Sequence, residues 1–187
     1  MSMESLDRAS SALAGVLANV SPDAYSASTP CESWDVRALI NHAVGAVHFF
    51  ATSAEGGTMP DGDAPDFTAG DPSEALASGV ARMKSAFASE GSMEKMMTLP
   101  FGQMPGSMVA GLASTDMFTH AWDLAKSTGQ STDLDPELSE QLLASSRERI
   151  MPGFRGENGK SPFTAEREAP EGASAADRLA AFLGRSV

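Results

Sequence analysis

The chain has 187 residues, 42% of them hydrophobic, which suffices for one domain with a real core and is short for two. Its formal net charge of −12 opposes nucleic-acid phosphates and anionic lipid headgroups, and a single cysteine, Cys31, excludes an intramolecular disulfide and fits a reducing compartment. The start "MSMESLDRAS" has no basic n-region or apolar h-region, and no uncharged apolar run reaches about 18 residues. A cytoplasmic protein with neither nucleic acid nor membrane as partner is therefore expected.

Leu6, Ala9, Leu13, Val16, Leu17 and Val20 recur at helical spacing, and the prolines of "SPDAYSASTP" end this first helix. A second helix is predicted with Ser33 as its cap and Asp35 in its first turn, where the macrodipole favours an anion, running to about Phe50. "EGGTMPDGDAPDFTAGD" is too rich in Gly, Pro and Asp for regular structure and reads as a surface loop. In "DPSE", Asp71 caps, Pro72 takes the first helical position and Glu74 the third. A third helix starts there, with Leu76, Val80, Met83 and Phe87 facing inward. "MEKMMTLPFGQMPG" reads as an irregular or short extended connection.

A fourth helix from Ser107 to about Ser127 closes on Gly129, and "DPEL" opens a shorter one from Asp135 to about Glu148. After the Pro- and Gly-rich "MPGFRGENGKSPF", Ser174 with Asp177 caps a last helix that Gly184 ends. With no strand run and no repeat evident, the expected class is all-α. The expected organisation is a single domain over 1–187, with a four-helix core in 1–130 and a C-terminal extension over 131–187.

His42 and His48 share the second helix. At about 100° per residue, Arg37, Asn41 and His48 align as a polar stripe, while His42 falls among Ala38, Leu39, Ala46 and Phe49. His48 should face water and His42 the core. An inward histidine is most simply a core residue satisfied by one hydrogen bond, so a partner has to decide its role. On the fourth helix Asp116 lies one turn before His120, on an arc shared with Val109, Ala113, Met117 and Leu124. Asp123 stands on the same side; Thr115, Thr119, Trp122 and Lys126 stand on the other.

A carboxylate on an apolar face needs a positive partner, and no inward Lys or Arg is evident on the four core helices. A divalent metal is one answer. Asp116 and His120 at i and i+4, with His42 from a facing helix, supply three ligands on one side of an ion and leave positions for water or substrate. An Asp116–His120 ion pair without metal is the other.

"TPCESWDVRALINHAVG", "LPFGQMPGSMVAG", "DMFTHAWDLAKSTGQ" and "DRLAAFLGR" resemble, in collinear order, an actinobacterial metal-binding family of the DinB-like superfamily, related to the N-terminal domain of mycothiol-dependent maleylpyruvate isomerase. The resemblance implies a four-helix bundle holding a divalent metal through one histidine of the second helix and an acid-x-x-x-histidine pair of the fourth, here His42, Asp116 and His120. It also implies thiol chemistry at the metal, with mycothiol or a similar low-molecular-weight thiol as cosubstrate. One departure is Asp116, where isomerase-type members carry the longer glutamate; this bears on affinity and metal identity.

Cys31 lies eleven residues before His42, about 16 Å along a helix axis, and is expected to pack the entry of the second helix beside Trp34 rather than reach the metal as ligand or nucleophile. Asp123 is either an acceptor for a ligand histidine's other N–H or a structural partner of nearby backbone. Met93, Met96, Met97 and Met104 suit core gaps or a homodimer contact better than soft-metal capture. Two readings of function result. One is an enzyme, a thiol transferase or isomerase whose metal activates a small thiol toward an electrophilic substrate, with no catalytic residue assigned. The other is a non-catalytic metal-binding module in which the ion crosslinks helices. Imidazole-rich ligation puts Zn²⁺ first, with Ni²⁺, Fe²⁺ and Mn²⁺ open.

Overall fold

Helix boundaries follow the capping chemistry. The computed structural model describes residues 2–31, 33–59, 62–100, 102–157, 161 and 163–187, so the loop readings at 60, 61, 158–160 and 162 lie outside the described residues. In chain order come α1 (Met3–Leu17), α2 (Val36–Ala54), α3 (Pro72–Ala88), β1 (Met96–Leu99), β2 (Gly102–Pro105), α4 (Gly106–Ser127), α5 (Pro136–Arg149) and α6 (Ala175–Phe182). The Asp71 carboxylate accepts from the amides of Ser73 and Glu74, and the Ser174 hydroxyl accepts from Asp177, as the sequence predicts. At α2 the cap is Asp35, which accepts from Ala38, and not Ser33. That helix also runs past Phe50 to Ala54, because Ala51 and Ala54 are buried on its core face.

The four long helices form a ring in which α1 packs on α3 and α4, and α2 packs on the same two. Consecutive helices α1 and α2 therefore sit across the diagonal, which brings α2 beside α4. Leu6, Leu13, Leu39, Ile40, Met83, Met117 and Phe118 fill the centre. The all-α class holds, with one addition. The methionine-rich connection is a two-stranded antiparallel hairpin pairing Met96 with Pro105 and Leu99 with Gly102. Its alternation, with Met97 and Leu99 buried and Met96 exposed, spans too few residues to be legible as a strand. The turn that leads into the hairpin supplies acceptors for the first amides of α4: Gly106 N–H donates to Lys95 O at 2.9 Å and Ser107 N–H to Met93 O at 2.8 Å. A side chain at Gly106 would lie 2.1 Å from the Ser92 carbonyl, so this approach needs glycine.

α4 is buried on both sides. Trp122, assigned by periodicity to the outer face, is 1% exposed, and Thr119 beside it is also buried. α5 and α6 cover that face, and Trp122 Nε1–H donates to Asp177 of α6 at 2.8 Å. The stripe expected to face water is covered in part, with Arg37 exposed and Asn41 and His48 half-buried. Asn41 bonds Asp66 and the Phe67 amide, Arg37 donates to Thr68, and the His48 ring stacks on Phe67 at 5.4 Å. No helix among the described residues is long and apolar enough to cross a membrane.

Candidate metal centre

The α2–α4 contact brings His42 together with Asp116 and His120. One donor atom from each of the three lies within 4.8 Å of the others. Asp116 Oδ1 is 3.6 Å from His120 Nε2, close enough for attraction and long for a hydrogen bond. The second carboxylate oxygen, Asp116 Oδ2, is buried without any hydrogen-bond partner. The His42 and His120 rings meet edge to face at 4.8 Å, and Trp34 lies against His42 at 4.4 Å. Depth falls across the set: His120 is buried, Asp116 is 26% exposed along its side chain, and His42 is exposed. The inward placement read for His42 is thus corrected. It borders the centre from the solvent side, whereas His48, expected in water, is half-buried with Nε2 against the Ala75 carbonyl at 3.0 Å.

Behind His120 the arrangement is closed. Its Nδ1 pairs with Asp123 Oδ2 at 3.0 Å, and Asp123 is 0% exposed. Arg185, beyond the end of α6, donates from Nη2 to Asp123 Oδ2 at 3.0 Å and from Nε to Oδ1 at 3.2 Å. Cys31 Sγ donates to the same Oδ2 at 3.3 Å. A buried carboxylate here meets a guanidinium fork, an imidazole and a thiol, which is how its charge is tolerated.

Cys31 arrives there because the chain before α2 turns back on itself. The Thr29 hydroxyl donates to the carbonyls of Cys31 and Trp34 and accepts from the Cys31 amide, while Val36 and Arg37 amides reach back to Ala27 and Tyr25. This knot puts Cys31 and Trp34 against the bundle end, so distance along a helix axis does not apply, and Cys31, His120 and Asp123 form a second close group.

The charges fix the protonation states. Burial lowers the His120 pKa, but the Asp116 charge and then Asp123 outweigh it and hold the imidazole well above its ordinary 6.5. Lost hydration where the His42 ring packs against Trp34 and His120, then the positive charge of His120, lowers the His42 pKa although the residue borders solvent. Burial raises Asp123 and Arg185 reverses it, so its pKa falls to about 2. A cation entering between Asp116 and His120 therefore replaces a proton.

Residues 6–125 match the family model of the mycothiol maleylpyruvate isomerase N-terminal domain. The chain belongs to this family. It is also similar to proteins from two strains of Mycobacterium tuberculosis, each called an uncharacterized protein, at 44% identity over 184 residues covering 96% of this chain and 95% of theirs. No solved structure matches.

Within this family member, sequence periodicity brought Asp116 and His120 to one face and Asp123 to the same side, and of the two roles weighed for Asp123 the structure shows the contact with a histidine's other nitrogen. Arg185 was missed. The sequence shows no inward cation on the four core helices, and Arg185 lies beyond both them and the span that the family model matches. The signal available was "FLGR", a helix-ending glycine followed by a cation.

Proposed function

We propose that His42, Asp116 and His120 hold one divalent metal ion, Zn²⁺ first and Ni²⁺, Fe²⁺ or Mn²⁺ as alternatives, in an enzyme that activates a low-molecular-weight thiol for transfer to, or isomerisation of, an electrophilic small molecule. The observation that carries this reading is the orphaned Asp116 Oδ2, a buried carboxylate oxygen without a hydrogen-bond partner in a group whose donor atoms, with those of His42 and His120, lie within 4.8 Å of one another. Tetrahedral ligation at about 2.1 Å sets donor atoms about 3.4 Å apart, near the 3.6 Å between Asp116 and His120. Asp123 occupies Nδ1 of His120, which leaves Nε2 as its ligating atom. A divalent cation there supplies Lewis acidity, lowering the pKa of a thiol brought beside it so that the sulfur is nucleophilic near neutral pH. His42, exposed at the rim, leaves the solvent side of the donor set open, and Trp34 walls it.

Mycothiol is the thiol of choice because the family carries its name, and its uncharged sugar body suits a protein of net charge −12. The whole chain is read as one DinB-like domain, 1–130 forming the core and 131–187 an extension, working in the cytoplasm without nucleic acid or membrane. Replacing the ion with Co²⁺ and titrating mycothiol tests the reading through a sulfur-to-metal charge-transfer band in the near ultraviolet. The band should grow in wild type and be absent in His120→Ala.

The alternative reading is a non-catalytic metal module in which the ion crosslinks α2 and α4. A cobalt form that no thiol perturbs at millimolar concentration would make that module the better account.

A further inference from the structure

We infer that Arg185 is a positioning residue for His120, carried to the centre by the turn that ends α6 and acting through Asp123. The turn is built for it. Gly184 has φ +94° and its N–H donates to Ala181 O at 2.9 Å, while Arg185 N–H donates to Ala180 O at 2.9 Å, the paired bonds of a Schellman stop. A side chain at Gly184 would meet the left-handed backbone penalty and also the Thr164 hydroxyl at 2.0 Å and the Ala165 carbonyl at 3.0 Å. Conformation and space both require glycine at this position, and the consequence is the direction in which residue 185 leaves the helix.

From there the guanidinium reaches across to α4. Its Nη1 is tied to the Leu183 carbonyl at 3.2 Å, and Nε and Nη2 straddle the two oxygens of Asp123. The side chain is only 14% exposed, so the fork is held by its surroundings and is not a mobile surface arm. Asp123 Oδ2 is the atom that Arg185 shares with His120 Nδ1. Without the fork, a wholly buried carboxylate would retain one weak thiol donor and the imidazole, and would draw the ring toward itself or turn away from it. With the fork, the carboxylate is fixed, the ring is fixed by it, and Nε2 points at Asp116 and His42.

Arg185 also sets the charge of the centre. Asp123 is neutralised from behind, so a divalent cation that displaced the His120 proton would meet Asp116 as the one anion left to offset it, and the cluster would keep an excess positive charge that suits an anionic ligand such as a thiolate. The C-terminal extension, beyond the residues 6–125 that define the family match, is thereby part of the centre.

The inference rests on the proposed metal reading for its effect on a cation, and the test separates the two. Co²⁺ is titrated into metal-free wild type, Arg185→Gln, Arg185→Lys and Met83→Ala, the last a core control on α3 that lowers stability away from the centre. The His120 Nδ1–H proton is followed by NMR in the same metal-free proteins. Arg185→Gln should weaken Co²⁺ binding about 10- to 100-fold and lose the protected Nδ1–H signal, Arg185→Lys should recover most of both, and Met83→Ala should keep both. Wild-type affinity in Arg185→Gln, or an equal loss in Met83→Ala, overturns the inference. If Arg185→Gln does not fold, Asp123→Asn is compared with the Asp123→Asn/Arg185→Gln pair: equal Co²⁺ affinity and Nδ1–H protection in the two support action through Asp123, and a further loss in the pair overturns it. Wild type that takes up no Co²⁺ would sink the metal reading alone, and the Nδ1–H response to Arg185→Gln would then decide the positioning role by itself.

Discussion

His120 has two nitrogens, and the structure treats them differently. On the Nδ1 side Asp123 is wholly buried and surrounded by donors, from Cys31 and Arg185 in distant parts of the chain and from His120 one turn before it. On the Nε2 side Asp116 sits at 3.6 Å with its other oxygen unpartnered, and His42 stands exposed beyond it. The first arrangement is complete as it stands and the second is not. The fold satisfies one buried carboxylate fully and leaves an oxygen of another, two turns earlier on α4, without a partner, which is where the proposed ion would sit.

The sharpest way to break this comparison is to remove the closed side. Asp123→Ala leaves the Arg185 guanidinium buried without its carboxylate, and metal-free protein should lose about 3–5 kcal/mol, read as a fall in the denaturation midpoint. A loss below about 1 kcal/mol would show that the closed side contributes little to the fold.

Acid provides the next contrast. Asp123 is held at about 2 against an ordinary 3.8, a depressed value, so its contribution of about 2 kcal/mol is present above the unfolded pKa and is lost as pH falls through the folded one. Urea midpoints of metal-free protein should therefore drop between about pH 4 and pH 2. In Arg185→Gln, whose Asp123 lacks its main stabilising charge, that drop should begin at higher pH.

On the open side the expectation reverses. Asp116→Asn keeps the volume and one acceptor but removes the charge, so the metal-free melt should move by less than about 1 kcal/mol while Co²⁺ affinity falls at least tenfold. A melt far below wild type would make Asp116 a structural partner of His120. Smallest in its effect on the centre is His48→Ala, which removes the bond to Ala75 and the stack on Phe67 on the half-buried part of the polar stripe. It should cost about 1 kcal/mol of stability and leave metal binding untouched.

The closed side was also the part that the sequence concealed. Helices and most caps were legible because Asp71, Asp135 and Ser174 precede runs with a 3.6-residue period, a signal carried within a few neighbouring residues. The open side was legible for a related reason: Asp116 and His120 are one turn apart, and only His42 had to come from elsewhere. Cys31 and Arg185 are separated from Asp123 by 92 and 62 residues, and both are placed by chain reversals, the Thr29 knot and the Gly184 stop. Periodicity has no information about such reversals. The burial of Trp122 escaped for the same reason, since α6 covers it from 55 residues away. Ser33 and Asp35 compete as caps two residues apart, and the Asp35 bond to Ala38 settles a choice that composition leaves even.

The central claim is that the open side holds one divalent ion with His42 as its outermost ligand. The direct measurement is metal content per chain, by elemental analysis of protein purified without an affinity tag from metal-replete cells, for wild type and His42→Ala side by side. The account predicts about one equivalent in wild type and a stoichiometric loss in His42→Ala, whose exposed ring contributes little to the core and whose fold should persist. Equal metal in both proteins, or none in wild type, would contradict it.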